Sequence, residues 1–71
     1  MKNIEALIDD GGSITIGADG DVACVAAAAD VHTSLAMLLR RDGEPLTALL
    51  KRLDLAIGRY YATGETTDEI N

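Results

Sequence analysis

The chain has no phenylalanine and no tryptophan, and Tyr60 and Tyr61 are its only aromatics. A core built without large rings must come from Ile, Leu, Val and Met, each contributing about 1.5–3 kcal/mol when buried. Eleven alanines account for much of the 48% hydrophobic content, and each brings little area. The single cysteine excludes an internal disulfide framework and suits a reducing compartment. No stretch approaches the roughly eighteen uninterrupted apolar residues of a membrane span. The opening MKNIEALIDD sets acids where a secretory signal carries its apolar segment, so a cytoplasmic protein is expected.

What is present fits one small domain. At 71 residues the chain has no room for a second core or for a cofactor pocket of ordinary size, and no cofactor is expected. Ordering the backbone costs about 1–2 kcal/mol per residue. The margin over so modest a core is thin, which makes self-association or partner binding a reasonable source of added stability.

The net charge is −6, and it is unevenly spread. Residues 1–30 hold Glu5, Asp9, Asp10, Asp19, Asp21 and Asp30 against Lys2, for −5. Residues 31–59 hold Arg40, Arg41, Lys51, Arg52 and Arg59 against Asp42, Glu44 and Asp54, for +2; the tail adds Glu65, Asp68 and Glu69, for −3. Such a balance disfavours direct contact with a phosphate backbone. It favours a basic protein surface.

NIEALIDDGG reads as a short helix, with Asn3 as cap, Ile4, Leu7 and Ile8 on one stripe, and Gly11 or Gly12 as stop. SITIGADGDVACV reads as a hairpin, since Ile14 and Ile16 alternate with Ser13 and Thr15 and Asp19-Gly20 is a strong turn signal. With those turn residues, Ile16 faces Ala23, Ile14 faces Val25, and Thr15 faces Cys24 on the other side. DVACVAAAAD then poses a conflict. Five alanines favour a helix by up to roughly 0.7 kcal/mol per residue, whereas the hairpin and Val22 and Val25 favour a strand. Pairing is expected to win through about Ala28. SLAMLLRR makes a third strand, with Leu35, Met37 and Leu39 pointing one way and Ala36, Leu38 and Arg40 the other. Pro45 suits the first helical position. Leu46, Leu49, Leu50, Leu53, Ala56, Ile57 and Tyr60 follow at helical spacing. Gly64 stops that helix, and residues 64–71 are expected to be an acidic, flexible tail after a domain spanning 1–63.

The expected fold is therefore α+β in the order α-β-β-β-α, a three-stranded antiparallel meander covered on one face by the long helix. On the second face Val22, Cys24, Ala36 and Leu38 would stand apolar, to be covered by the N-terminal helix or by another chain as a possible dimer face.

The reactive residues do not assemble into chemistry. His32 between Asp30 and Ser34 imitates a triad in spacing alone, and a triad is a matter of spatial geometry. Cys24 and His32 are two soft ligands where structural zinc needs four. DGD at 19–21 lacks the later ligands of a calcium loop. GGS and GADG lack the lysine and helix of a phosphate loop, and Arg40-Arg41 reads as a solvated strand end. The chain is expected to be neither an enzyme nor a metal protein.

GDVACVAAA, LAMLLRRDGEPLTALLKRLDLAI and the terminal TDEIN resemble a group of small, uncharacterised proteins carried by bacterial phages and other mobile elements. In size, charge and genetic company the chain is similar to anti-CRISPR proteins. That resemblance implies a non-enzymatic inhibitor of a host nucleic-acid-binding defence complex, acting by imitating nucleic acid or by blocking its site. The partner-binding residues would be Glu5, Asp9, Asp10, Asp19, Asp21 and Asp30, set against a basic groove. A small structural or regulatory homodimer is the alternative.

Overall fold

A computed structural model describes residues 1–70. The elements are helix α1 (Lys2–Asp9), strands β1 (Ser13–Asp19), β2 (Val22–Ala29) and β3 (Ser34–Leu39), helix α2 (Leu46–Thr63), and a two-residue strand β4 (Thr67–Asp68). This is the expected α+β order with one short strand added. β1, β2 and β3 pair antiparallel in sequence order, and β4 joins the far side of β3 in parallel.

The alanine run is a strand throughout. Ala26 to Ala29 are paired to β1 on one side and β3 on the other, and two hydrogen-bonded ladders outweigh the local helix preference. Ala26, Ala28 and Ala36 are fully buried in one cluster with Leu7, Leu35, Leu38, Leu49, Leu53 and Ile57. Their short side chains let α2 lie close to the sheet. The buried stripe of α2 is Leu49, Leu53, Ala56 and Ile57, while Leu46 stands 48% exposed outside it. Pro45 is the extended residue just before α2 rather than its first helical residue. At the other end Gly64 takes the left-handed conformation, φ 76°, that stops the helix.

Strand register differs from the sequence expectation by three residues. Ile16 pairs with Ala26, Thr15 with Ala27 and Ile14 with Ala28. Asp19 pairs with Val22, so the two turn residues are Gly20 and Asp21, with Gly20 at φ 57°. A positive φ at the first turn position alone is the demand of a type II′ hairpin. Moving the turn by one residue shifts the register by two. An irregularity between Gly17 and Asp19, where β2 carries one extra residue, adds the third. An odd shift exchanges the faces of β2, so Ala26 and Ala28 lie beneath the helices and Val25 lies on the opposite side.

The face assignment built on the earlier register is thereby corrected. Ala36 and Leu38 are buried beneath the helices of their own chain, and Cys24 packs half-buried against the same core. With Cys24, Ala36 and Leu38 so placed and only Val22 left half-buried at the rim, the four do not form an open dimer face. A second irregularity opposite Ala28 and Ala29 makes Leu35 an extra residue in β3, so Leu35 and its neighbour Ala36 both reach the core. The opposite sheet face, which carries no helix, holds exposed Thr15, half-buried Ala27, Met37 and Leu39, and buried Val25.

Helix α1 begins two residues earlier than expected, with Met1 rather than Asn3 at the cap and Asn3 inside the helix. Its free N–H groups are met from a distant element: Asp54 Oδ1 accepts the backbone N–H of Asn3 and of Ile4, each at 2.9 Å. The Asn3 amide also donates to the Asp54 carbonyl and carboxylate. One carboxylate on α2 thus caps α1 and fixes the angle between the helices.

The tail also differs from expectation, because residues 67–70 are tied to the sheet. The Glu69 N–H donates to the Met37 carbonyl, and Glu69 Oε1 accepts the Leu39 N–H. Arg52 donates to Glu69, to Glu44 and to the Leu39 carbonyl. Long-range ionic contacts hold this segment, and nothing local in TTDEI announces them.

Candidate functional site

The six acids singled out by sequence fall into two groups around β1. Asp9 and Asp10 end α1 and lead into Ser13, while Asp30 follows Ala29, the residue that pairs with Ser13. Glu5 lies one turn earlier on α1. Asp19 and Asp21 sit at the hairpin tip, at the other end of the strand. Six residue steps at about 3.4 Å each separate the two groups by roughly 20 Å. All six acids are exposed, and among the described residues none of them forms an ion pair.

Two observations describe the field at the α1 end. The Asp30 carboxylate accepts the His32 and Thr33 N–H groups at 2.8 and 2.7 Å, and these bonds lower its pKa. The Tyr61 phenol is pushed up by partial burial first and then by the Asp10 and Asp30 carboxylates. Asp10 and Asp30 therefore act on the same surface, although they lie twenty positions apart in the chain.

The cations behave differently. Arg52 bridges Glu44 at 2.8 Å and Glu69 at 3.0 Å, and Arg59 pairs with Glu65. The Arg52 guanidinium, aided by the Arg41 backbone N–H, holds the Glu44 carboxyl at about 2, against the opposing pull of burial. Arg40 Nε donates to the Glu44 carbonyl. Arg52 and Arg59 are thus paired on the α2 side, whereas among the described residues the six acids around β1 carry no ion pair.

Other candidate chemistry resolves into local structure. Asp30 meets the backbone of His32, not its ring, in a tight polar turn. Among the described residues no three His, Cys, Asp or Glu side chains gather as a metal ion requires. Cys24 lines a surface depression with Val22, Ala23, Arg40, Arg41 and Pro45. No helix among the described residues is long and apolar enough to cross a membrane.

Sequence reasoning missed the edge between the two acidic groups. Among the described residues β1 is hydrogen-bonded only to β2, and all of it except Ile14 is exposed, with Ile16 at 40%. It contains no lysine or proline, the usual guards of a sheet edge. That absence was readable, but its meaning depends on β1 lying at the edge, which sequence order does not fix. The fold and this edge define a small α+β domain with both helices on one sheet face. No family model, curated protein or solved structure matches the chain.

Proposed function

We propose that the protein is a non-enzymatic, acidic protein-binding module of a mobile element, acting in the bacterial cytoplasm. It would inhibit a host nucleic-acid-binding defence complex, as an anti-CRISPR protein does, by imitating nucleic acid or by occupying its site. One observation carries the reading: Glu5, Asp9, Asp10, Asp19, Asp21 and Asp30 are exposed without ion pairs, whereas Arg52 and Arg59 are neutralised by Glu44, Glu69 and Glu65. A basic groove that holds phosphates is complementary to such a rim. Its attraction acts over about 8 Å at physiological salt.

The test compares two sets of variants in target-DNA binding by purified CRISPR surveillance complexes at low and physiological salt. Reversing Asp9, Asp10, Asp19 and Asp21 to Lys, with Asp30→Asn to keep an acceptor for the His32 and Thr33 N–H groups, should abolish inhibition while leaving the domain folded, because solvated charges contribute little to stability. Reversing Arg40 and Arg41 should leave inhibition intact. Equal loss from both sets, or indifference to salt, would overturn the reading.

A second reading, a structural or regulatory homodimer, is favoured by the uncovered apolar face. Its interface would be Ala27, Met37 and Leu39 in place of the buried Ala36 and Leu38. Met37→Lys should then dissociate the dimer, and a monomeric parent at high concentration in sedimentation would remove this reading.

A further inference from the structure

The two edges of the sheet are treated in opposite ways. On the outer edge of β3, Thr66 donates to the Ser34 carbonyl, the Glu69 N–H to the Met37 carbonyl, and the Leu39 N–H to the Glu69 carboxylate. Arg52 clamps Glu69 in place from α2. Among the described residues the edge of β1 has no such cover, although it is the longer of the two and holds no guarding lysine or proline. Outward-facing N–H and C=O groups on an open strand are a template for one more strand.

We infer that the β1 edge is a strand-addition site for an extended peptide segment of a protein partner, β-branched or apolar at its centre and basic at both ends. The centre is matched to Ser13–Gly17, the stretch over which β1 pairs regularly with β2 before the irregularity between Gly17 and Asp19. Both ends must be basic because Asp9, Asp10 and Asp30 flank one end of β1 and Asp19 and Asp21 the other. The same charges argue against a second copy as occupant. Antiparallel pairing of two β1 strands about Thr15 would bring the hairpin-tip acids of each copy beside the Asp9, Asp10 and Asp30 of the other. Like charges so juxtaposed oppose association. The inference rests on the reading of a basic partner and adds how that partner is held.

The experiment is residue-resolved amide exchange on the full chain with three synthetic peptides. The first has an alternating Val-Thr centre and two lysines at each end. The second carries proline at its central position, and the third replaces every lysine with glutamate. With the first peptide at about ten times its Kd, exchange at alternate amides of Ser13–Gly17 should slow about tenfold, following the unbound fraction. The other two should leave those amides unchanged. Equal slowing by the proline peptide, or no slowing within β1 by any of the three, overturns the inference. Slowing of β1 that grows with protein concentration alone identifies a second copy and also overturns it. Binding of the lysine peptide away from β1 refutes strand addition but leaves the acidic module intact. Loss of charge dependence in the inhibition assay instead refutes the acidic module itself.

Discussion

Leu49 and Leu53 lie one turn apart on α2 and have no exposed surface. Replacing either with Ala should cost about 2–5 kcal/mol, read as a lower urea midpoint with unchanged slope. A shift of a degree or two in melting would mean that the stripe does not carry the core. Gly58 offers a finer test. A Cβ there would stand 2.5 Å from Asn3 Nδ2, and that amide is bonded to Asp54. The helix gain of Gly→Ala, about 1 kcal/mol, is thus set against the loss of hydrogen bonds at about 0.5–1.5 kcal/mol each. Gly58→Ala should be near neutral in the parent and stabilising by about 1 kcal/mol in an Asn3→Ala background. Additive effects in that double-mutant cycle would mean that Asn3 and Gly58 do not compete for the same space.

At the scale of elements, the Glu44–Arg52–Glu69 cluster joins the β3–α2 loop, α2 and the tail. Glu44 sits at about 2 in the folded protein, below its ordinary value of 4.5. The unfolded chain therefore takes up this proton first as pH falls. The stabilisation is fully present above about 4.5 and is lost progressively toward 2. Arg52→Met should flatten that acid-side slope and speed exchange at the Leu39 and Glu69 amides. An unchanged slope would place the acid sensitivity elsewhere. Much of the element order was legible: the apolar stripe of α2, the glycine stop at Gly64 and the Ile14–Ile16 alternation are local signals. Register was not legible, because it depends on which residue begins the turn and on two bulges that only neighbouring strands reveal. The misplaced face of Ala36 and Leu38 followed from that odd shift. Neither the capping of α1 by Asp54 nor the docking of the tail leaves any trace nearby in the chain. Of the candidate site, the acids were visible from composition, but the open strand that lies between them was not.

For the molecule as a whole, charge should make folding and the proposed partner binding respond to salt in opposite directions. Folding brings Asp10 and Asp30 onto one surface, and the whole chain carries −6. Screening lengths fall from about 30 Å at low salt to about 8 Å at physiological salt. Added salt should therefore raise the melting temperature of the free protein while weakening its hold on a basic partner. A melting temperature that falls with salt would mean that the Arg52 and Arg59 pairs outweigh the free acids. A second expectation concerns the tail. Ending the chain after Thr63 removes β4 and Glu69 and bares the Ser34 and Met37 carbonyls and the Leu39 N–H. That variant should sediment as larger species with rising concentration. If it stays monomeric, the tail is not needed to cover the β3 edge.

The capped edge also sets a limit on growth. A sheet open on both sides can take a neighbour on each and so propagate without end, which is how strand pairing leads to fibres. Here the tail occupies one side, so a strand received at β1 finds no second acceptor on the far side of the same molecule. The protein is a chain terminator in the polymer sense. With strand addition as inferred above, it would have a valency of one and form a one-to-one complex, which would make the open Ser13–Gly17 stretch tolerable in a crowded cell.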